Sequence, residues 1–305
     1  MSIIDCITNQ PAILMEGALG ERLKREYRLS FHPQLAMARL VYSGSGRAAL
    51  RALWQEYLDI ARRYGLPFLA TTPTRRANQE RVALAGDTEA VIADNVNLLR
   101  EVQQSSGGEM YVGGLMGCKG DAYTGQGALS QAQARAFHAW QANLFCKAGV
   151  DFMYAGIMPT LPEATGMAQA MSDTGVPYII SFTIQKDGTL IDKTPIAEAI
   201  DFIDRTVGTK PLCYMTNCVH PRIVYAALSQ PMNDTPAVKR RFLGIQANTS
   251  PLSYAELDGC ADLQCSDPAA LADELLRLRD ISQIKLFGGC CGTDGRHLEQ
   301  LAARL

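Results

Sequence analysis

Three cysteines are the residues of this chain best suited to chemistry. Cys290 and Cys291 follow a short apolar run and two glycines, in the segment Gly288-Gly289-Cys290-Cys291-Gly292, and Cys218 ends a second apolar run. Two adjacent thiolates suit one soft cation better than a disulfide, because the usual bridge needs well-separated Cα atoms. Three thiolates leave a zinc ion one open position, which is typical of a catalytic site and not of a closed structural one.

The remaining cysteines show no comparable pattern. Cys146 lies in a helical pattern, and Cys213 lies inside a strand, where a buried thiol behaves as a small hydrophobe. Cys260 and Cys265 could form a second pair, but no matching ligand spacing supports a second metal. An odd total of nine cysteines at irregular spacing argues against a secreted disulfide framework, so we expect a cytoplasmic protein with reduced thiols.

Apolar runs that alternate with helical patterns position these cysteines. The predicted strands cover residues 12–18, 67–72, 110–116, 150–158, 177–184, 211–218, 242–247 and 284–287. Eight strand–helix units in 305 residues predict an α/β fold, a (β/α)8 TIM barrel, as a single domain over residues 1–305. A doubly wound open sheet is the alternative, but no Gly-x-Gly-x-x-Gly follows the first strand. Residues 230–239 read as a polar, linker-like loop.

The barrel brings the cysteines together. Cys218 is expected at the carboxyl end of the sixth strand, and Cys290 and Cys291 at that of the eighth, on the face where barrel active sites lie. A net charge of -2 gives no reason to expect nucleic acid or an anionic membrane as partner. No window reaches the roughly 18 to 20 apolar residues of a membrane span, and the first ten residues lack the pattern of a signal peptide.

The pairing of Asn217-Cys218 with the double-cysteine segment resembles the zinc-dependent homocysteine S-methyltransferases, which include the S-methylmethionine and betaine enzymes. The opening run Met15-Glu16-Gly17-Ala18-Leu19-Gly20 is similar to that family's Asp-Gly-x-x-Gly segment. The resemblance implies a zinc ion held by Cys218, Cys290 and Cys291. It also implies methyl transfer from a sulfonium or ammonium donor (S-methylmethionine, S-adenosylmethionine or betaine) to a small thiol. Homocysteine is the default acceptor, which would give methionine, and no catalytic group is needed beyond the zinc-activated thiol.

The resemblance also suggests substrate-binding residues, namely Glu16, Thr72, Asn217 and Asn248. Asn248 matches the ligand that fills the fourth zinc position when the site is empty, and Asn217 orients the site or caps the turn after its strand. Gly156 stands where the family has a glutamate for the amino group of homocysteine, and Pro73 replaces an asparagine. These departures leave two alternatives open, a different thiol acceptor and a non-catalytic zinc-binding barrel. His138 and His220 are candidate bases or ligands, although local hydrogen bonding is the commoner role of such histidines.

Overall fold

Eight parallel strands form a closed barrel in chain order in a computed structural model, which describes residues 1–107, 109–252 and 266–305. Each strand pairs with the next, and the last pairs with the first, Leu286 lying opposite Ile13. The strands are β1 (Ile13–Met15), β2 (Phe68–Thr71), β3 (Met110–Met116), β4 (Phe152–Met158), β5 (Tyr178–Phe182), β6 (Cys213–Val219), β7 (Phe242–Ala247) and β8 (Leu286–Gly289). The predicted (β/α)8 barrel is confirmed.

Helices surround the barrel. Over the described residues they are α1 (Ile3–Asn9), α2 (Gly20–Arg25), α3 (Gly44–Arg63), α4 (Gln79–Leu84), α5 (Ala90–Ser106), α6 (Gln131–Ala148), α7 (Leu161–Ser172), α8 (Ile196–Thr206), α9 (Pro221–Leu228), α10 (Pro236–Arg241), α11 (Pro268–Arg277) and α12 (Gly295–Ala302). Two 3-10 turns cover Met37–Tyr42 and Leu278–Asp280. None of the helices in these residues is long and apolar enough to cross a membrane.

One prediction about the connections is wrong. The stretch 230–239 is not a loop throughout, because α10 begins inside it. The Thr235 side chain accepts a hydrogen bond from the Val238 N–H, and Pro236 takes the first helical position. Both residues are typical of a helix start. The threonine side chain accepts from a backbone N–H that has no partner inside the helix, and proline has no N–H that would need one.

The core has two layers. One lies between the barrel and its helices. The other fills the barrel itself with apolar side chains such as Phe152, Met215 and the fully buried Cys213, and α1 adds Ile3, Cys6 and Ile7 to it from below. The interior is therefore packed and closed at the amino-terminal end of the strands, which leaves the opposite end for chemistry. Cys146 is exposed on α6, and the predicted pair Cys260 and Cys265 lies outside the described residues.

Candidate metal centre

The three predicted cysteines meet at the carboxyl end of the barrel. Cys218 is the penultimate residue of β6, and Cys290 and Cys291 directly follow β8. The Sγ atoms of Cys218 and Cys291 are 3.5 Å apart, and those of Cys290 and Cys291 are 4.0 Å apart. All three sulfurs lie within 4.8 Å of one another, and the three residues are called the thiol cluster below. The predicted convergence is confirmed.

An irregularity in β6 turns Cys218 toward its partners. Asn217 pairs with Gln246 and Val219 with Ala247, so Cys218 is an extra residue between the two pairs. Its φ of 62° lies in the left-handed region, which residues with a side chain rarely adopt. A bulge of this kind redirects a side chain at the end of a strand. The Cys218 sulfur therefore reaches the barrel mouth instead of following the alternation of β6.

Hydrogen bonds hold the other two cysteines in place. The Cys290 N–H donates to the Ala247 carbonyl at 2.7 Å, and the Thr293 hydroxyl donates to the Cys290 carbonyl at 2.7 Å. The chain then turns at Gly292, whose φ is 84° and whose N–H donates to Glu21 Oε2 at 2.6 Å. The double-cysteine segment is thus tied to β7 and to α2, so the two thiols stand on a fixed backbone.

The thiol cluster fits a soft divalent cation. Thiolates in tetrahedral zinc sites, with Zn–S near 2.3 Å, stand about 3.8 Å apart, close to the separations seen here. Hydrogen bonds from Cys290 and then Cys291 lower the pKa of Cys218 well below its usual value. Hydrogen bonds with Cys218 and then Cys291, followed by burial, raise the pKa of Cys290. One thiolate therefore forms readily, and a cation is needed to stabilise all three together.

Beneath the cluster lies a layer of hydrogen-bonded polar side chains, the polar floor, formed by Tyr154, Ser181, Asn217 and Gln246. Asn217 Oδ1 accepts from the Ser181 hydroxyl at 2.6 Å and from the Tyr154 hydroxyl at 3.3 Å. The Tyr154 hydroxyl also lies 3.0 Å from Gln246 Oε1. Asn217 was predicted as a substrate contact, and that role stays a prediction; the other three were missed because each follows apolar residues in a strand.

Glu16 occupies the end of β1 as a buried carboxyl group. Its two oxygens accept from the Thr71 N–H at 2.7 Å and from the Thr71 hydroxyl at 2.5 Å. Burial raises the pKa of Glu16 to about 8, although the two bonds from Thr71 oppose this shift. The side chain is therefore neutral in the free protein at neutral pH. A neutral carboxyl group can still donate a hydrogen bond, and the role of Glu16 as a substrate contact stays a prediction.

Glu16 should make stability depend on pH. An unfolded glutamate ionises near pH 4.3, whereas the folded one keeps its proton up to about 8, so unfolding releases a proton between these values. Stability should fall by about 1.4 kcal/mol per pH unit in this window. Glu16→Gln should abolish the slope because an amide does not titrate. It should keep both contacts, since the amide can accept from the Thr71 N–H and donate to the Thr71 hydroxyl. Urea unfolding from pH 5 to 8 measures how the free energy of unfolding changes with pH, and Glu198→Gln is the exposed control. The same slope in Glu16→Gln, or its loss in Glu198→Gln, would show that Glu16 is not its source.

The turn after β2 joins two strands. The Thr72 hydroxyl accepts from the Leu115 N–H at 3.2 Å and lies 2.7 Å from the Thr74 hydroxyl, which donates to the Leu115 carbonyl at 2.9 Å. Thr72 and Thr74 are fully buried. The structure thus gives Thr72 a hydrogen-bonding role between β2 and β3, and its predicted contact with substrate remains untested.

Asn248 follows β7 at the predicted place. Its Oδ1 accepts from the Ser250 N–H at 2.9 Å, and its own N–H donates to the Val219 carbonyl at 3.0 Å. The side chain is buried, at 6% exposure. The Oδ1 atom retains a second lone pair, so a role as the fourth ligand stays a prediction.

Two further residues of the mouth were not predicted. The Tyr123 side chain, on the loop between β3 and α6, is hydrogen-bonded to Cys218. The guanidinium of Arg75, on the turn after β2, interacts electrostatically with Tyr123, Cys118, Cys218 and Cys290. The dipeptide Arg75-Arg76 was visible in the sequence, but nothing there distinguished the inward arginine from the exposed Arg76.

The two histidines serve local hydrogen bonding. His220 caps α9, its Nδ1 accepting from the Arg222 N–H, and burial lowers its pKa to about 4. His138 Nε2 lies 3.1 Å from Glu163 Oε1 in a fully buried pair. Glu163 also accepts from the N–H groups of Lys119 and Leu129, so it fastens both ends of the loop that carries Tyr123. Within the described residues neither histidine belongs to a metal-binding group.

Comparisons with known proteins agree with this geometry. A family model described as homocysteine S-methyltransferase matches residues 13–305. Solved structures of the homocysteine methyltransferase MmuM from Escherichia coli are similar over 98% of both chains, with 22% identity and a TM-score of 0.76 for the oxidized form. The metallated form has 21% identity, a TM-score of 0.75 and the same coverage. No sequence among the curated proteins matches the chain. At these identities the solved structures establish a shared fold.

Proposed function

Because the chain belongs to the homocysteine S-methyltransferase family and is thus a methyltransferase, we propose that it methylates a small thiol at the thiol cluster, with zinc as its metal. The main support for this proposal is the convergence of Cys218, Cys290 and Cys291 at the barrel mouth. Homocysteine is the default acceptor, and methionine would be its product. The seven cysteines that the structure describes form no disulfide, which favours a cytoplasmic setting.

Zinc would be held by the three cluster cysteines, with Asn248 as the fourth donor before the acceptor arrives. A structure of MmuM in a metallated form supports a metal in this fold. Bound zinc keeps a coordinated thiol deprotonated at neutral pH, where a free thiol with a pKa near 8.5 is mostly protonated. Tyr123, which is hydrogen-bonded to Cys218, and the polar floor would position the ligands around the metal.

The transfer itself needs no acid or base at the methyl carbon. The acceptor sulfur forms a bond to that carbon while the bond from carbon to the donor sulfur or nitrogen breaks. The electron pair leaves with the donor, which loses its positive charge in doing so. S-methylmethionine, S-adenosylmethionine and betaine are all donors of this type, and the chain contributes by orienting the two partners.

Recognition of the homocysteine amino group is where this chain departs from its family. Gly156 lies in β4 and offers no carboxylate. A Cβ atom at this position would lie 3.0 Å from Tyr154 Cε1 and 3.2 Å from Leu115 Cδ1. Gly156→Glu would therefore disturb the polar floor through Tyr154, so loss of activity in that variant would say little about the amino group.

Metal analysis and turnover test the proposal together. We expect about one zinc per chain and methylation of homocysteine or another small thiol with at least one of the three donors, followed by mass spectrometry. A chain that binds zinc but methylates no thiol in a broad panel would favour the non-catalytic alternative. A chain without zinc that still transfers methyl groups would remove the metal from the mechanism.

A further inference from the structure

Arg75 places a cation at the barrel mouth without an acidic partner. Its guanidinium interacts with Cys218 and Cys290, yet its side chain makes no ion pair or hydrogen bond with the residues that the structure describes. The neighbouring Arg76 forms no ion pair within the described residues either, but it is exposed to solvent, whereas Arg75 is half-buried. A half-buried guanidinium without a carboxylate partner is costly, so Arg75 can pair with an anion in addition to its interaction with the thiol cluster.

The backbone presents Arg75 rigidly. The Thr74 carbonyl, one residue before it, accepts from the Ala77 N–H at 2.8 Å and from Gln141 Nε2 at 3.0 Å. On its other side Arg75 packs against Gly117, where a Cβ atom would lie 2.6 Å from Arg75 Cγ and 2.8 Å from its carbonyl oxygen. Only glycine permits this approach. A cation held on fixed backbone loses little freedom on binding, as a recognition site requires.

The carboxylates around the mouth are already engaged. Glu16 is bound to Thr71, and Glu163 holds the loop at Lys119 and Leu129. Asp121 is close enough to feel the charge of Arg75, but its carboxylate accepts from the N–H groups of Tyr123 and Thr124 and forms no ion pair with the arginine. Glu21 likewise accepts from the Gly292 N–H. These carboxyl groups therefore already have hydrogen-bond partners, whereas the Arg75 side chain has none among the described residues.

We propose that Arg75 binds the anionic group of the thiol acceptor, and that the acceptor class is small thiols carrying a carboxylate or sulfonate, with no ammonium required. This inference rests on the proposed function of the thiol cluster. An arginine fork matches either anion with two parallel hydrogen bonds. The thiol would reach the metal while its acidic end pairs with Arg75, whose charge also opposes a cationic amine.

A panel of thiols that differ in charge tests the inference. The compounds are 3-mercaptopropionate, 2-mercaptoethanesulfonate, 2-mercaptoethanol, cysteamine and homocysteine. Binding to the zinc-loaded protein is measured by calorimetry without a donor, and methyl transfer is measured separately. We expect the two anionic thiols to bind at least as well as homocysteine and cysteamine to bind worst. Arg75→Gln should weaken the anionic thiols roughly 10- to 100-fold while changing 2-mercaptoethanol less than about threefold.

Two variants serve as controls. Arg75→Lys keeps the charge and should retain part of the preference, and Arg76→Gln removes the neighbouring exposed arginine and should change nothing. Equal weakening of every thiol in Arg75→Gln, together with loss of zinc, would make Arg75 a counter-ion of the metal site and overturn the inference. So would unchanged binding of the anionic thiols. Absence of methyl transfer with intact charge-selective binding would refute the proposed function alone.

Discussion

Replacing any one cysteine of the thiol cluster by serine should leave the purified protein with less than about a tenth of a zinc per chain. Cys218→Ser, Cys290→Ser and Cys291→Ser each keep the shape of the side chain but exchange a soft thiolate for a hydroxyl that stays protonated. Two thiols held within 4.8 Å of each other cannot replace the lost ligand. Methyl transfer should fall below detection with the metal, as measured by metal analysis and product formation on the same samples.

Cys146→Ser is the matched control, since it makes the same change at an exposed residue of α6. It should keep full zinc content and turnover. Unfolding by urea distinguishes loss of the site from loss of the fold, because the core packing remains in all four variants. If the three cluster variants retained zinc and activity, the metal would have to be held elsewhere in the chain.

A single methyl group at Gly292 should have an effect nearly as large. Its Cβ would lie 1.9 Å from Thr249 Oγ1 and 3.1 Å from Thr249 Cβ, on a backbone with a φ of 84°. The cost of the left-handed conformation alone is about 1 kcal/mol. The clash adds to it and must displace either Thr249 or the segment that carries Cys291. Gly292→Ala should therefore lose most of its zinc and at least about 2 kcal/mol of stability.

Gly86→Ala separates the two contributions. Gly86 has a φ of 65° with nothing within 4 Å of the added Cβ, so this variant meets the conformational cost without the clash. It should bind zinc normally and lose only about 1 kcal/mol. Adding Thr249→Ala to Gly292→Ala should restore part of the zinc content, because Oγ1, the nearest obstructing atom, is gone and only Cβ at 3.1 Å remains. Normal zinc content in Gly292→Ala alone would show that the turn relaxes without moving Cys291.

The sequence predicts the barrel well because its strands carry a strong local signal. β3 and β7 have the predicted bounds, since each is an apolar run limited by polar or glycine-rich segments. The convergence of the cysteines follows from topology, because the carboxyl ends of parallel strands share one face. Short helices were harder to predict: α1 and α4 span seven and six residues, too few for a helical period to stand out.

The residues that surround the cysteines could not be predicted from the sequence in the same way. The bulge at Cys218 depends on the pairing of β6 with β7 and leaves no trace in the order of residues. The polar floor joins residues from four strands, and each looks ordinary in its own segment. Arg75 and Arg76 are identical in type and adjacent, yet Arg75 packs against Gly117 and interacts with the thiol cluster, whereas Arg76 is exposed. These features arise from contacts between distant parts of the chain.

The closed lower end of the barrel bears on the order in which substrates would bind and products would leave. With α1 beneath the apolar interior and the polar floor above it, the residues that the structure describes leave the mouth as the route to the thiol cluster. In the proposed function the acceptor would have to reach the sulfurs, whereas the donor would only have to bring its methyl group within reach from above. We therefore expect the acceptor to bind first, the spent donor to leave first and the methylated product to follow it. Ordered sequential kinetics, in which an inert thiol competes with the acceptor but not with the donor, would agree with this expectation.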